Sequence, residues 1–253
     1  MIRKLAGLAA VSLFVCAAAD AQEKGRMVSY PSGSESVSGY LAAPEGGQKK
    51  PALVVIQEWW GLNDFVKAKA DGFAGKGYVA LAPDLYRGKV TDDPDVAHQL
   101  MRGLPEDRAV RDLQAAVAYL RSRPDVETKR IGAIGWCMGG GYSLKLALAE
   151  PGLAGAVIDY GSLVTDEAKI AGLKVPLLGS FGGKDQGISP ESVREFERKA
   201  KALSKSVDFK IYPEAGHGFA SSKDPKVYRP DDARDADARA EAFLARVLGA
   251  GKR

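Results

Sequence analysis

Short apolar runs recur along this chain, each stopped by glycine, proline or a polar turn, and stretches of helical period lie between them. Residues 51–56 (PALVVI) and 78–82 (YVALA) are continuous apolar segments, as expected of strands covered on both faces. Residues 27–42 alternate loosely and predict one or two short strands. Further strands are expected at 130–134, 153–160, 175–181 and 207–212. The helical stretches fall between them. Asn63 can cap a helix running to Gly75, with Phe65, Ala68 and Phe73 among its apolar positions. Pro105 and the acidic pair Glu106 and Asp107 open a helix to about Ser122, with Val110, Leu113, Val117 and Leu120 in period. Helices are also expected at 139–150, 190–203 and 231–248, whereas residues 86–104 read as a polar loop or short helical segment.

Strands alternating with helices predict an α/β fold: a single domain with a mostly parallel sheet and helices on both faces. The 253-residue length suits one large domain or two small ones, and with no repeat, low-complexity segment or linker after the N-terminal stretch, one domain is the simplest reading. With 45% hydrophobic and 27% charged residues, the composition argues against a long disordered region. The net charge is only +4 and no basic block stands out, so nucleic acid is not an expected partner.

The N-terminus departs from this rhythm. Arg3 and Lys4 precede an apolar segment from Leu5 to Ala19, and Ala19-Asp20-Ala21 has the small-x-small form of a cleavage site. Residues 1–21 therefore read as a secretory signal peptide, leaving a mature domain at 22–253 and a periplasmic or secreted location with no membrane attachment after cleavage. Of the two cysteines, Cys16 would leave with the signal and Cys137 would stay as a lone thiol, with no partner for a disulfide.

That thiol has a particular setting. Cys137 lies in IGWCMGGG, where an apolar run meets a glycine-rich turn before a helix. Gly135-x-Cys137-x-Gly139 has the form of a nucleophile elbow with cysteine in place of serine. Such a turn exposes the nucleophile beyond a strand's carboxyl end and points a helix N-terminus at the developing negative charge. Two further residues follow in hydrolase order. Asp185 comes just after the apolar run VPLLGSF, and His217 sits between glycines after the last strand, in YPEAGHGF. In this arrangement Cys137 attacks an acyl carbon, His217 moves the proton and Asp185 orients the imidazole. The other mature histidine, His98, reads as a solvated surface residue. The backbone N–H of Met138 would be one oxyanion donor, and Trp59, in the loop after PALVVI, the second. Glu58, at the end of that run, is expected near the nucleophile.

Five spaced motifs over residues 27–248 carry a family resemblance: QEWWGLN around Glu58, APDLYRG from Ala82, GWCMGGG around Cys137, GGKD at Asp185 and YPEAGHGF at His217. In content and order they resemble the dienelactone hydrolase family of α/β-hydrolases. The resemblance implies hydrolysis of lactones or small carboxylic esters by a Cys-Asp-His triad. It also implies a glutamate at Glu58 that tunes the thiol's protonation, and no metal or other cofactor. It places Arg87, with Tyr86 and Trp60, on the substrate side, Arg87 holding a substrate carboxylate. A second arginine would be expected shortly after the histidine, but Ser221 stands there, with Lys223 nearby as a point charge. The expected partner is a small-molecule ester or lactone, and the expected state a monomer or small homo-oligomer. A non-hydrolytic binding or redox-sensing thiol on the same fold, and a thiol peptidase or acyltransferase, are the alternatives.

Overall fold

A computed structural model describes residues 25–221 and 225–249. The expected signal peptide and Lys223 lie outside the described residues. The chain opens with an antiparallel pair, β1 (Arg26–Ser32) and β2 (Glu35–Ala42). It continues through β3 (Lys50–Ile56), α1 (Asp64–Gly75), β4 (Val79–Pro83), α2 (Pro94–Arg102), α3 (Glu106–Ser122), β5 (Val126–Trp136) and α4 (Met138–Ala149). Then follow β6 (Gly155–Asp159), α5 (Glu167–Gly172), β7 (Leu177–Gly182), α6 (Pro190–Ala202), β8 (Val207–Tyr212) and α7 (Pro230–Leu248). These strands form one eight-stranded sheet in the order β1-β2-β4-β3-β5-β6-β7-β8, parallel from β4 to β8.

Period-two alternation divides the apolar runs between the two faces of the sheet. Ala52, Val54 and Ile56 join one core cluster, which also holds apolar residues of α3, α4, α5 and α6. Leu53 and Val55 join the other, with residues of α1 and α7. A central strand covered on both sides has no use for polar positions, and all six residues from Pro51 to Ile56 are buried. The topology brings the ends of β3, β5, β7 and β8 out along one edge of the sheet, with the loops after them on that side.

The structure departs from the sequence reading in two places and resolves a choice it left open in a third. The strand expected at 130–134 begins at Val126, because its first half pairs through the register irregularity between Lys50 and Ala52 and is partly exposed, which hides its apolar pattern. The 86–104 segment contains a true helix, α2, capped by Asp93, whose carboxylate accepts from the N–H groups of Asp95 and Val96. Helix α5 was not anticipated: it is six residues long and buries only Ile170, too little for a periodicity to register. Among the described residues no helix is long and apolar enough to cross a membrane.

Candidate active site

The site is assembled from four strand ends. Cys137 is the hinge between β5 and α4, and its backbone is held at φ 54°, ψ −120°, outside the ordinary regions for a residue with a side chain. Its N–H donates to the carbonyl of Asp159 at 3.0 Å, at the end of the neighbouring β6. The flanking glycines have a steric reason. A Cβ on Gly135 would run into the backbone of Gly139, and one on Gly139 into the carbonyls of Ile56 and Gln57. With those side chains absent, α4 starts immediately after the cysteine, and the N–H of Met138 is among the first-turn donors that lack an intrahelical acceptor.

Asp185 and His217 come to Cys137 from neighbouring loops. The loop after β7 is tied to the loop after β8 by Gly183 N–H to the Tyr212 carbonyl (2.7 Å) and Lys184 N–H to the Ala215 carbonyl (2.8 Å). Asp185 is 3% exposed. Its Oδ1 accepts from the N–H groups of Gly187 (2.8 Å) and Ile188 (2.9 Å), which fixes the carboxylate plane. Its Oδ2 lies 2.8 Å from His217 Nδ1, and His217 Nε2 lies 3.1 Å from Cys137 Sγ. The imidazole packs against the Tyr160 ring (centroids 5.3 Å apart, 70° between planes).

The electrostatics follow the contacts. Burial pushes the Asp185 carboxyl up, but the hydrogen bonds from His217 and the two backbone N–H groups outweigh it and leave the pKa below its ordinary value. Burial works against a charged His217, and the hydrogen bonds and charges of Asp185 and Cys137 overcome it, raising the pKa from 6.5 to about 10. The imidazolium is thus favoured wherever its two partners are in place.

Glu58, Trp59, Trp60, Met138 and Ser221 line the same cleft of about 790 Å³ as the three residues above. Glu58 is 4% exposed, and the Ser221 hydroxyl donates to its Oε2 at 3.3 Å. The serine that stands where an arginine was expected therefore orients the glutamate. Trp59 and Trp60 form a tilted aromatic pair with centroids 4.8 Å apart.

Two expected residues are placed elsewhere. Arg87 does not line the cleft. The Asp84 carboxylate accepts from the N–H groups of Tyr86 (3.0 Å) and Gly88, Arg87 takes a left-handed φ of 56°, and the reversed chain sends its guanidinium to Asp112 (2.8 Å) and Glu35 (2.9 Å). There it joins Arg111 in fastening the β1–β2 hairpin to α3. Tyr86 is buried behind the cleft wall, its hydroxyl donating to the Met138 sulfur at 3.2 Å. Other residues reach the site unannounced. His98 is exposed, as expected, yet it lines the cleft with its ring edge-on to Trp59 at 5.2 Å. Met101, three residues on along α2, lines it too, as do Tyr142 and Tyr160. Tyr160 was discoverable in principle, since it follows the end of β6 just as Cys137 follows β5.

A mostly parallel sheet carrying an elbow after β5, an acid after β7 and a histidine after β8 defines an α/β-hydrolase. Residues 37–248 match the dienelactone hydrolase family, and the chain belongs to it. It is a carboxymethylenebutenolidase-like hydrolase. A relative from Methylorubrum extorquens, provisionally named a carboxymethylenebutenolidase, is 34% identical over 79% of this chain and 73% of its own length. The protein usf of Aquifex pyrophilus is 33% identical over 88% of this chain and 99% of its own. Among solved structures, a provisionally assigned dienelactone hydrolase of Klebsiella pneumoniae superposes with a TM-score of 0.80 at 26% identity, covering 87% of this chain and 98% of that one.

Proposed function

We propose that this protein is an exported hydrolase of lactones or small carboxylic esters that works through Cys137, His217 and Asp185. One observation carries the reading: His217 bridges the Cys137 sulfur at 3.1 Å and the Asp185 carboxylate at 2.8 Å. In the first half-reaction Cys137 Sγ attacks the acyl carbon. The oxyanion that forms is held by the N–H groups of Met138 and Trp59. His217 then gives its proton to the leaving oxygen, and an acyl-thioenzyme remains. In the second half-reaction His217 takes a proton from water, the hydroxide adds to the thioester, and the carboxylic acid leaves as the thiolate returns. Asp185 holds the imidazole in the tautomer that both steps need. Glu58, held by Ser221, tunes the protonation of the thiol.

Export rests on the pattern of residues 1–21. Intact-mass measurement of protein recovered outside the cytoplasm should give a chain beginning at Gln22, and recovery of the full-length chain from the cytoplasm alone would remove that part of the proposal.

The catalytic assignment is tested with Cys137→Ala. Its kcat on a small activated ester should fall about 10³-fold or more, with an unchanged circular-dichroism spectrum. Turnover within a few-fold of wild type would rule out Cys137 as the nucleophile.

A further inference from the structure

We propose that the catalytic cleft and a smaller cavity beside it form one site for an extended apolar chain of an ester, with the Ile188 side chain as the partition between them. The inference rests on the hydrolase reading above and concerns how long a substrate that site admits: Ile188 sets the limit.

The first ground is a shared wall. A second cavity of about 220 Å³ lies against the cleft, and Ser162, Gly187 and Ile188 line both. Residues that line two neighbouring cavities are what separates them. Gly187 has no side chain and Ser162 has a short, exposed one, so Ile188, half-buried and packed against the apolar core, supplies the bulk of the partition. Its place relative to the reacting groups is fixed. Asp185, on the same loop, accepts through Oδ1 from the N–H groups of Gly187 (2.8 Å) and Ile188 (2.9 Å), and Cys137 lines the cleft that Ile188 borders. A substrate chain that runs from Cys137 along this wall has one aliphatic side chain between it and the second cavity.

The second ground is the character of that space. Leu163, Val164 and Phe196 line the second cavity together with Ile188, and Phe196 is held by stacking on Phe209 (centroids 5.5 Å apart, 13° between planes). Its charged lining is already engaged: Lys199 pairs with Glu195 at 2.8 Å and donates to the Thr165 carbonyl at 3.5 Å. What the cavity offers a ligand is therefore apolar surface, which rewards methylene groups by their burial. Its volume of about 220 Å³ has room for a short alkyl segment.

The test varies chain length on each side of the ester. On the acyl side para-nitrophenyl octanoate is compared with para-nitrophenyl butanoate, and on the alcohol side octyl acetate with butyl acetate, followed by acid release. Ile188→Ala opens the partition and should raise the long-to-short ratio of kcat/KM at least about tenfold in one of the two series, since burying about two of the four added methylenes is enough for that. The series that responds identifies the end of the ester that faces Ile188. Adding Val164→Phe to Ile188→Ala refills the second cavity and should return the ratio to within about threefold of wild type, which a loop merely loosened around Asp185 would not do. If Ile188→Ala does not fold, as judged by circular dichroism, Ile188→Val should show a smaller rise of the same sign. An unchanged ratio in both series, or a rise that survives Val164→Phe, overturns the inference while sparing the hydrolase reading. Hydrolysis of none of the four esters by the wild type overturns the hydrolase reading and the inference with it.

Discussion

The residue with the most to do is His217, whose ring nitrogens face a sulfur on one side and a carboxylate on the other. Both of its contacts favour the proton. Its pKa is raised from 6.5 to about 10, so its contribution to stability is complete below pH 6.5 and is lost as pH rises toward 10. Asp185 moves the other way: its pKa lies below the ordinary 3.8, so its contribution is present above that value and is lost on acidification. The two windows overlap between about pH 4 and 6.5. Asp185→Asn removes its own contribution and the share of His217's that Asp185 supplies, leaving the share due to Cys137. The difference in Tm between wild type and Asp185→Asn should therefore be largest in that overlap and shrink toward pH 3 and pH 10, as thermal melts in a pH series will show. The imidazole is partly exposed, with 42% of its side-chain surface open, so solvent limits the size of the effect. Turnover is more sensitive. The same substitution should lower kcat about 10²–10⁴-fold, because an amide cannot stabilise the imidazolium and can support the wrong tautomer.

At the scale of elements, the site depends on junctions whose residues do not line the cleft. The β1–β2 hairpin is locked to α3 by Ser32, Glu35, Arg87, Arg111 and the fully buried Asp112, whose Oδ1 accepts from the Ser32 hydroxyl at 2.6 Å. Removing Arg87 leaves the Asp112 carboxylate poorly compensated in the interior. Arg87→Gln should destabilise the fold by about 1–3 kcal/mol, measurable by urea denaturation, without moving KM for a neutral ester. The elbow is the other junction. Gly139→Ala would push a methyl group into the carbonyls of Ile56 and Gln57, forcing β3 and α4 apart just where Glu58 and Cys137 leave them. Activity should fall further than stability, since a shift of about 1 Å in the relation of Cys137 to His217 would, on the proposed mechanism, cost about 10²-fold in rate.

At the scale of the whole molecule, β6, α1 and α7 converge on one buried carboxyl. Asp159, at the end of β6, is 1% exposed, and the Ser180 hydroxyl beside it offsets only part of the cost of its burial. Burial pushes its pKa from 3.8 to about 7, with the charge of Asp237 on α7 adding to the shift and Lys69 on α1 opposing it. An acid whose folded pKa is raised costs stability as pH climbs from 3.8 through 7. Asp159→Asn removes that cost, so its Tm relative to wild type should improve between pH 5 and pH 8. A constant difference across that interval would show that the group does not titrate in the fold.

The alternation of apolar runs and helical stretches was enough to determine a single α/β domain, because a strand buried on both faces must be continuously apolar and a surface helix must be periodic. Cys137, Asp185 and His217 were legible for a related reason: each follows a strand end, and in a parallel sheet those ends share one edge. Tertiary structure alone decided what depends on side-chain direction and on partners distant in sequence. PDLYRG reads the same whether Arg87 faces a substrate or Asp112, and the outcome turns on a left-handed φ and on a carboxylate 25 positions further along the chain. Ser221 reads as a missing arginine until Glu58, which lies 163 positions earlier, is found beside it. His98 and Met101 reach the cleft because α2 folds over Trp59, a packing that its short sequence does not announce. Local pattern determines which elements form and in what order, since it acts through backbone propensity and burial, whereas pairing across the sheet edge is decided only when the chain closes on itself.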